Sequence, residues 1–550
     1  MEWWKSAVLY QVYPRSFQDS DGDGVGDLAG ITARLPYLVE FGVDAIWLSP
    51  VFASPMADFG YDISDYTGID PLFGSMADFD ALLGAAHASG LKVLLDFVPN
   101  HTSIEHPWFQ ESRSSRNNGK RDWYIWRDGA SGGGPPNNWL SEFGGSAWTY
   151  DRLSGQYYHH AFLPEQPDLN WRNPQVVRAM HDVMRFWLKR GVDGFRVDVI
   201  WHLIKDEAFR DNPDNPQFRA GEPPHRRLLP FYSADRPEVH KVIRELRAVL
   251  DEFPDRLLIG EIYLPLDRLV AYYGENLTEA HLPFNFSLIE TPWNARAIAD
   301  LIGHYESLLP AGAWPNWVLG NHDRPRIASR VGQPQAGIAA MLLLTLRGTP
   351  TLYYGDEIGL PQVEIPAELQ RDPVAGRVPG LGRDGCRTPM PWDASPNAGF
   401  SMGRPWLPLN ADTGHRNVAR QRGDLGSLFH LYRRLIDLRR RHPALATGGY
   451  LLIEAEGDIL MIVREQDAER FLVALNLSSS PASVALPPKY RGTVVLNVDG
   501  VRVGESIVEE VALAGNDGLI VKLDQAPREF EPETENRPQN RDLSNVCALT

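Results

Sequence analysis

The chain has 550 residues, more than one hydrophobic core sustains, so two or three domains are expected. Its 71 acidic residues against 54 basic ones give a formal charge of −17, which argues against nucleic acid, anionic membranes and polyphosphates as partners and favours a neutral ligand. Two cysteines, Cys386 and Cys547, make no disulfide framework, and no run reaches the roughly 18 to 20 apolar residues of a membrane span. With no signal-peptide pattern at the N-terminus, a soluble cytoplasmic protein with reduced thiols is expected.

The first apolar run, VLYQVYP (8–14), reads as a strand and leads into DSDGDGVGD (19–27). The D-x-D-x-D-G spacing matches the first half of an EF-hand loop, in which oxygens at alternate positions converge on a cation; position 12, a glutamate there, is Gly30 here. A plain Asp/Gly turn capping the next helix would leave four close negative charges unneutralised, at an electrostatic cost.

Seven further β-type runs follow: AIWLSP (45–50), KVLLDFV (92–98), GFRVDV (194–199), LLIGEI (257–262), HLPFNF (281–286), NWVLGN (316–321) and TPTLYYG (349–355). Most are separated by amphipathic segments such as ITARLPYLVEFG, the pattern of βα units and a parallel sheet. Eight such strands close a (β/α)8 TIM barrel, and the Gly-rich phosphate turn of a doubly wound sheet is missing after the first. The expected fold is therefore α/β: a barrel over 1–101 and 173–448, a small inserted domain over 102–172 after strand 3, a lid-like stretch near 358–420, and a C-terminal antiparallel β-sandwich over 449–527. Residues 528–550 read as a disordered tail.

Asp62, His101, Asp198, Glu261 and Asp323 fall at or just beyond strand ends, on the face where barrel enzymes do chemistry. Any one acid there could merely cap the helix that follows. Three acids in GFRVD, GEIY and GNHD, with Arg196, His101 and His322 beside them, instead form a candidate site. Cleaving a glycosidic bond needs one ionised carboxylate and one protonated carboxyl. Arg196, two residues before Asp198, shares its strand face and is expected to lower its pKa, which suits a nucleophile. Glu261 follows the apolar LLIG, where burial would raise its pKa toward that of a general acid. Asp323 is then expected to hold hydroxyls and stabilise positive charge. No HxH or HExxH spacing supports a two-metal hydrolase.

DFVPNH (96–101), GFRVDVIWH (194–202), GEIY (260–263) and GNHD (320–323) resemble the four ordered motifs of the α-amylase superfamily, glycoside hydrolase family thirteen. QPDLN (166–170) resembles the motif of its oligo-1,6-glucosidase and α-glucosidase branch. The resemblance implies Asp198 as nucleophile, Glu261 as acid/base and Asp323 as transition-state stabiliser, with Arg196, His101 and His322 around the cleaved sugar. It implies that Asp58, paired with Arg383 or else Arg387, grips the terminal glucose and makes the enzyme exo-acting, with Tyr61 and Phe162 as pocket walls and Asp62 beside them. Val199 resembles the residue of enzymes that accept α-1,6 bonds as well as α-1,4. The resemblance also turns DSDGDGVGD into a structural Ca2+ or Mg2+ site with Asp19, Asp21, Asp23, Asp27 and the Val25 carbonyl as ligands, catalysis itself needing no cofactor. The implied protein is a retaining exo-α-glucosidase of short α-glucosides, monomeric or homodimeric, able to transglucosylate. A sucrose- or trehalose-converting relative is the alternative, and a non-catalytic transporter-subunit ectodomain a remote one.

Overall fold

The computed structural model describes residues 2–219, 221–378, 380–486 and 490–524, with the side chains of 452–456 left aside. The expected tail and Cys547 lie outside these residues. Eight parallel strands close a barrel: β1 (Leu9–Val12), β2 (Ala45–Leu48), β3 (Lys92–Phe97), β4 (Gly194–Val197), β5 (Leu257–Ile262), β6 (Leu282–Asn285), β7 (Asn316–Val318) and β8 (Thr349–Tyr353). Each pairs with its neighbours in sequence, and β1 closes on β8 with Leu9 opposite Thr351.

These strands read as continuous apolar runs because both their faces are covered: every residue of β1, β4 and β5 is buried. Inside, Leu9, Trp47, Leu94, Ile259, Phe284 and Val318 fill the barrel, so it is a packed core and not a channel. Outside run the connecting helices. Helix α1 (Leu28–Phe41) starts where the Asp27 side chain accepts the Gly30 N–H and ends at Gly42, whose φ of 97° only glycine adopts readily. Helix α2 (Met76–Ala88) opens with a capping box between Ser75 and Asp78. The helix Ala336–Thr345 is buried on all sides, packed against the helix Leu428–Arg441 and the C-terminal sheet.

Between β3 and the helix Pro174–Arg190 sits a three-stranded antiparallel sheet (Trp126–Arg127, Trp148–Asp151, Gln156–His159). It is tied to the segment after β4: Asn138 and Asn212 exchange backbone and side-chain hydrogen bonds, and Trp139 and Trp148 pack on Phe209. After β8 the chain crosses back over the first βα loop, where Asp19 N donates to the Phe400 carbonyl and Trp406 N to that of Gly24. The C-terminal unit has a six-stranded antiparallel sheet and a two-stranded one, sharing a core of residues such as Ile459, Val463, Leu472, Val484 and Val511.

Candidate active site

A cavity of about 640 Å³ opens at the C-terminal end of the barrel and is lined by Asp58, Tyr61, His101, Phe162, Asp198, Val199, Glu261, Asp323 and Arg383. Six of the eight expected strand ends or their loops thus meet at one place.

Under its floor lies Arg196, fully buried. Its Nη1 is 2.7 Å from Asp96 Oδ1 and 2.6 Å from Asp198 Oδ1, and its Nη2 is 2.7 Å from Glu261 Oε2. One guanidinium therefore faces three carboxylates. Burial pushes the Asp198 carboxyl well up; Arg196 opposes that, while Glu261 and Asp96 add to it. Burial likewise raises Asp96 to about 6 against the pull of Arg196. Arg196 thus pulls Asp198 down, in the direction expected, but desolvation and the two like charges act against it and the net direction is up.

Val199, the residue after Asp198, has φ 39° and ψ 49°, a left-handed conformation that a β-branched side chain disfavours. That twist aims its N–H at Glu261 Oε2, 3.0 Å away, and so anchors the second carboxyl.

Asp323 has the opposite environment. Burial acts to raise it, but the neighbouring positive charge, Arg383 Nη1 at 3.3 Å and Arg387 Nη2 at 2.8 Å, acts to lower it, and the net direction is well below the usual carboxylate range. It stays negative at any pH of interest.

Asp58 accepts Arg383 Nη2 at 2.6 Å, and Asp372 grips the same guanidinium at 2.8 and 2.9 Å. Burial raises Asp58, with Arg383 opposing. Of the two candidate partners, the geometry thus pairs Arg383 with Asp58, while Arg387 turns to Asp323 and the His322 carbonyl. Gln166 Nε2 reaches the other Asp58 oxygen at 3.3 Å. Asp58, Gln166 and Arg383 thus form a charged, hydrogen-bonded part of the cavity lining.

Tyr61 stacks on His322 with ring centroids 5.4 Å apart and planes at 2°, and its hydroxyl bonds both His322 Nε2 and Asp96 Oδ2. Phe162 lies between the rings of His101 and His202, at 5.3 and 5.6 Å. Burial lowers His322 to about 3 and His101 to about 4, so both rings are neutral at pH 7.

Four expected residues sit behind the cavity wall. Arg196, His322 and Arg387 are held there by the pairs just given and act on the lining from below. Asp62 accepts Ser54 Oγ and the N–H groups of Ala57 and Asp58, so it shapes the loop that presents Asp58 and does not face the sugar pocket. Burial pushes it up to about 6. Sequence reading missed Asp96, Gln166, Lys205 and Asp372. Asp96 and Gln166 stand inside quoted motifs, whereas Lys205 and Asp372 carry no local signal.

In the first βα loop, carboxylate oxygens of Asp19, Asp21 and Asp27 lie within 4.8 Å of one another. No lysine or arginine among the described residues pairs with them. Backbone N–H groups of Gly22 and Gly24 and the Ser401 hydroxyl converge on Asp19. Asp23 stands outside that trio, accepting the Val25 N–H.

The model of the alpha amylase catalytic domain matches residues 11–448, and the chain belongs to the alpha-amylase family. It is 44% identical to a probable alpha-glucosidase of Rhizobium meliloti over 89% of this chain and 92% of that protein. It is 40% identical to an oligo-1,6-glucosidase of Parageobacillus thermoglucosidasius over 88% and 92% of the two chains. Among solved structures, the alpha-glucosyl transfer enzyme XgtA superposes with a TM-score of 0.91 at 43% identity, covering 95% of this chain and 100% of that one. The trehalulose synthase MutB of Pseudomonas mesoacidophila gives 0.87 at 35%, with the same coverage.

Proposed function

We propose that the protein is a retaining α-glucosidase that takes one glucose at a time from the non-reducing end of short α-glucosides. The observation that carries this is the cavity lined by Asp198, Glu261 and Asp323 together with the Asp58–Arg383 pair. A pocket closed by that pair would admit a chain terminus and exclude a chain interior. In the first step Asp198 Oδ attacks the anomeric carbon while a carboxyl proton of Glu261 passes to the departing oxygen; in the second, Glu261 takes a proton from water, which displaces Asp198. Asp323, kept ionised by two arginines, offsets the positive charge that develops on the ring.

Val199 beside the nucleophile favours acceptance of α-1,6 as well as α-1,4 bonds. Transfer to a sugar acceptor in place of water uses the same intermediate, and the relative XgtA bears the name of a glucosyl transfer enzyme. Sucrose isomerisation is the weaker reading, since the trehalulose synthase is the more distant relative. Asp198→Asn tests the mechanism: hydrolysis of an aryl α-glucoside should fall by roughly 1,000-fold or more, and undiminished turnover would sink it.

For the first βα loop we infer a divalent cation, Ca2+ or Mg2+. The chemistry of the donors fits: hard oxygens, three of them convergent, with no counter-cation among the described residues. Asp19, Asp21 and Asp27 would hold it, with Asp23 and the Val25 carbonyl nearby, and bound there it would supply charge neutralisation only. Among the described residues no helix is long and apolar enough to cross a membrane. A cytoplasmic monomer or homodimer accords with the free thiol of Cys386.

A further inference from the structure

Lys205 follows the nucleophile by seven residues, yet its side chain points away from the cavity into the joint between the barrel and the inserted domain. It is 4% exposed, and its Nζ finds Asp168 Oδ2 at 2.5 Å, Asn100 Oδ1 at 2.8 Å and the His202 carbonyl at 2.5 Å. An ammonium has three protons, and here each has one acceptor. Asp168 in turn accepts His159 Nδ1 and the Ala161 N–H, both at 3.0 Å, so the ion pair is satisfied from both sides.

The consequence runs through Asn100. An ammonium cannot accept a hydrogen bond, so Asn100 must turn its carbonyl oxygen toward Lys205 and its amide nitrogen away. That nitrogen lies 3.1 Å from His101 Nδ1. A donor at this place requires a bare Nδ1, and in a neutral imidazole the proton is then on Nε2. The other side of the ring agrees: the Tyr61 carbonyl, which can only accept, is 3.1 Å from Nε2. One contact opposes. Gln166 Nε2, made a donor by the Leu163 N–H on its Oε1, stands 3.2 Å from the same Nε2. It has another acceptor in Asp58 Oδ2, whereas neither the Tyr61 carbonyl nor the Asn100 amide has a way to reverse.

We propose that Lys205 is a positioning residue: by orienting the Asn100 amide it fixes His101, on the wall of the glucose pocket, as the Nε2–H tautomer. The single ring N–H then stays on the Tyr61 carbonyl, which fixes the pose of the His101 ring and of Tyr61 in the pocket wall. Lys205 never touches the substrate. The kinetic part of this inference rests on the glucosidase reading; the tautomer does not.

The test uses full-length protein carrying 15N-histidine, with His101 assigned by the signal lost in His101→Gln. The expected wild-type spectrum shows a protonated Nε2 and a bare Nδ1. In Asn100→Asp, Lys205 keeps its acceptor, but the carboxylate can only accept, so the proton should move to Nδ1 and kcat/KM for maltose should fall at least 10-fold. In Lys205→Met the amide is free to turn, and the spectrum should show both tautomers; this variant decides the matter if the first does not fold. A wild-type Nδ1–H, or an Asn100→Asp protein whose tautomer does not change, would overturn the relay. A changed tautomer with kcat/KM within 2-fold of wild type would overturn its role in the pocket. A wild-type protein inert toward α-glucosides would sink the glucosidase reading and leave the relay to the spectra.

Discussion

Replacing Arg383 with alanine is the sharpest probe of the charged part of the pocket lining. The guanidinium serves Asp58 at 2.6 Å, Asp372 at 2.8 and 2.9 Å and Asp323 at 3.3 Å, all in a wall that is 9% exposed or less for Arg383, Asp58 and Asp372. The three acids do not suffer equally. Asp323 retains Arg387, and Asp372 retains the N–H groups of Val374 and of residue 383 itself. Asp58 is left with the long Gln166 contact. Removing one partner of a buried pair costs about 3 to 5 kcal/mol. With two of the three acids still partnered, the lower end applies, and about 3 kcal/mol expressed in transition-state binding is about 150-fold in kcat/KM. Asp58, raised by burial already, would lose its main counterweight and protonate at a higher pH, so the acid limb of the maltose profile should move upward. The assay is steady-state maltose hydrolysis from pH 4 to 9, without and with guanidinium chloride at millimolar concentration, which should restore part of the loss. A fall of less than 3-fold, or an unmoved acid limb, would refute the reasoning.

Three other outcomes follow from the same geometry. Val199→Thr should lower the isomaltose-to-maltose ratio of kcat/KM about 10-fold or more, read by glucose release from each sugar; an unchanged ratio discards the linkage argument. Burial raises Asp356 to about 7, with Glu357 adding and Arg326 opposing, so folding takes up a proton there between the ordinary carboxylate pKa of about 4 and 7. The stability this group contributes is present at low pH and lost as pH rises through 7. The melting temperature of Asp356→Asn minus that of wild type should therefore grow from pH 5 to pH 8, and a constant difference counts against it. Chelation by EDTA should lower the melting temperature by several degrees while leaving initial rates at 25 °C within 2-fold; an unchanged melting curve removes the cation from the first loop.

The eight strands could be read along the chain because a strand covered on both faces leaves an unbroken apolar run, and LLIGEI or KVLLDFV is such a run. The acids could be read because each ends one of those runs. What could not be read was who stands beside whom. Arg196 looked like the private partner of Asp198, two residues away, and proved to be shared with Asp96 and Glu261, 100 and 65 positions distant. Asp62 looked like part of the pocket because Asp58 is, yet three donors from its own loop turn it inward. Lys205 carries no signal of its own in the sequence. Its meaning lies in Asn100 and Asp168, which no local pattern links to it. Periodicity reports burial, whereas charge partnership belongs to tertiary structure.

The left-handed turn at position 199 bears on how such an enzyme could diversify. There the main chain holds Glu261 and the side chain lines the cavity, so one residue joins a rigid frame to a replaceable surface. Substitutions that keep the twist change the cavity lining and leave the hydrogen bond to Glu261 in place. A glycine, which has no stake in any one conformation, would let the frame slacken. Selection at this point is free to vary chemistry but not shape.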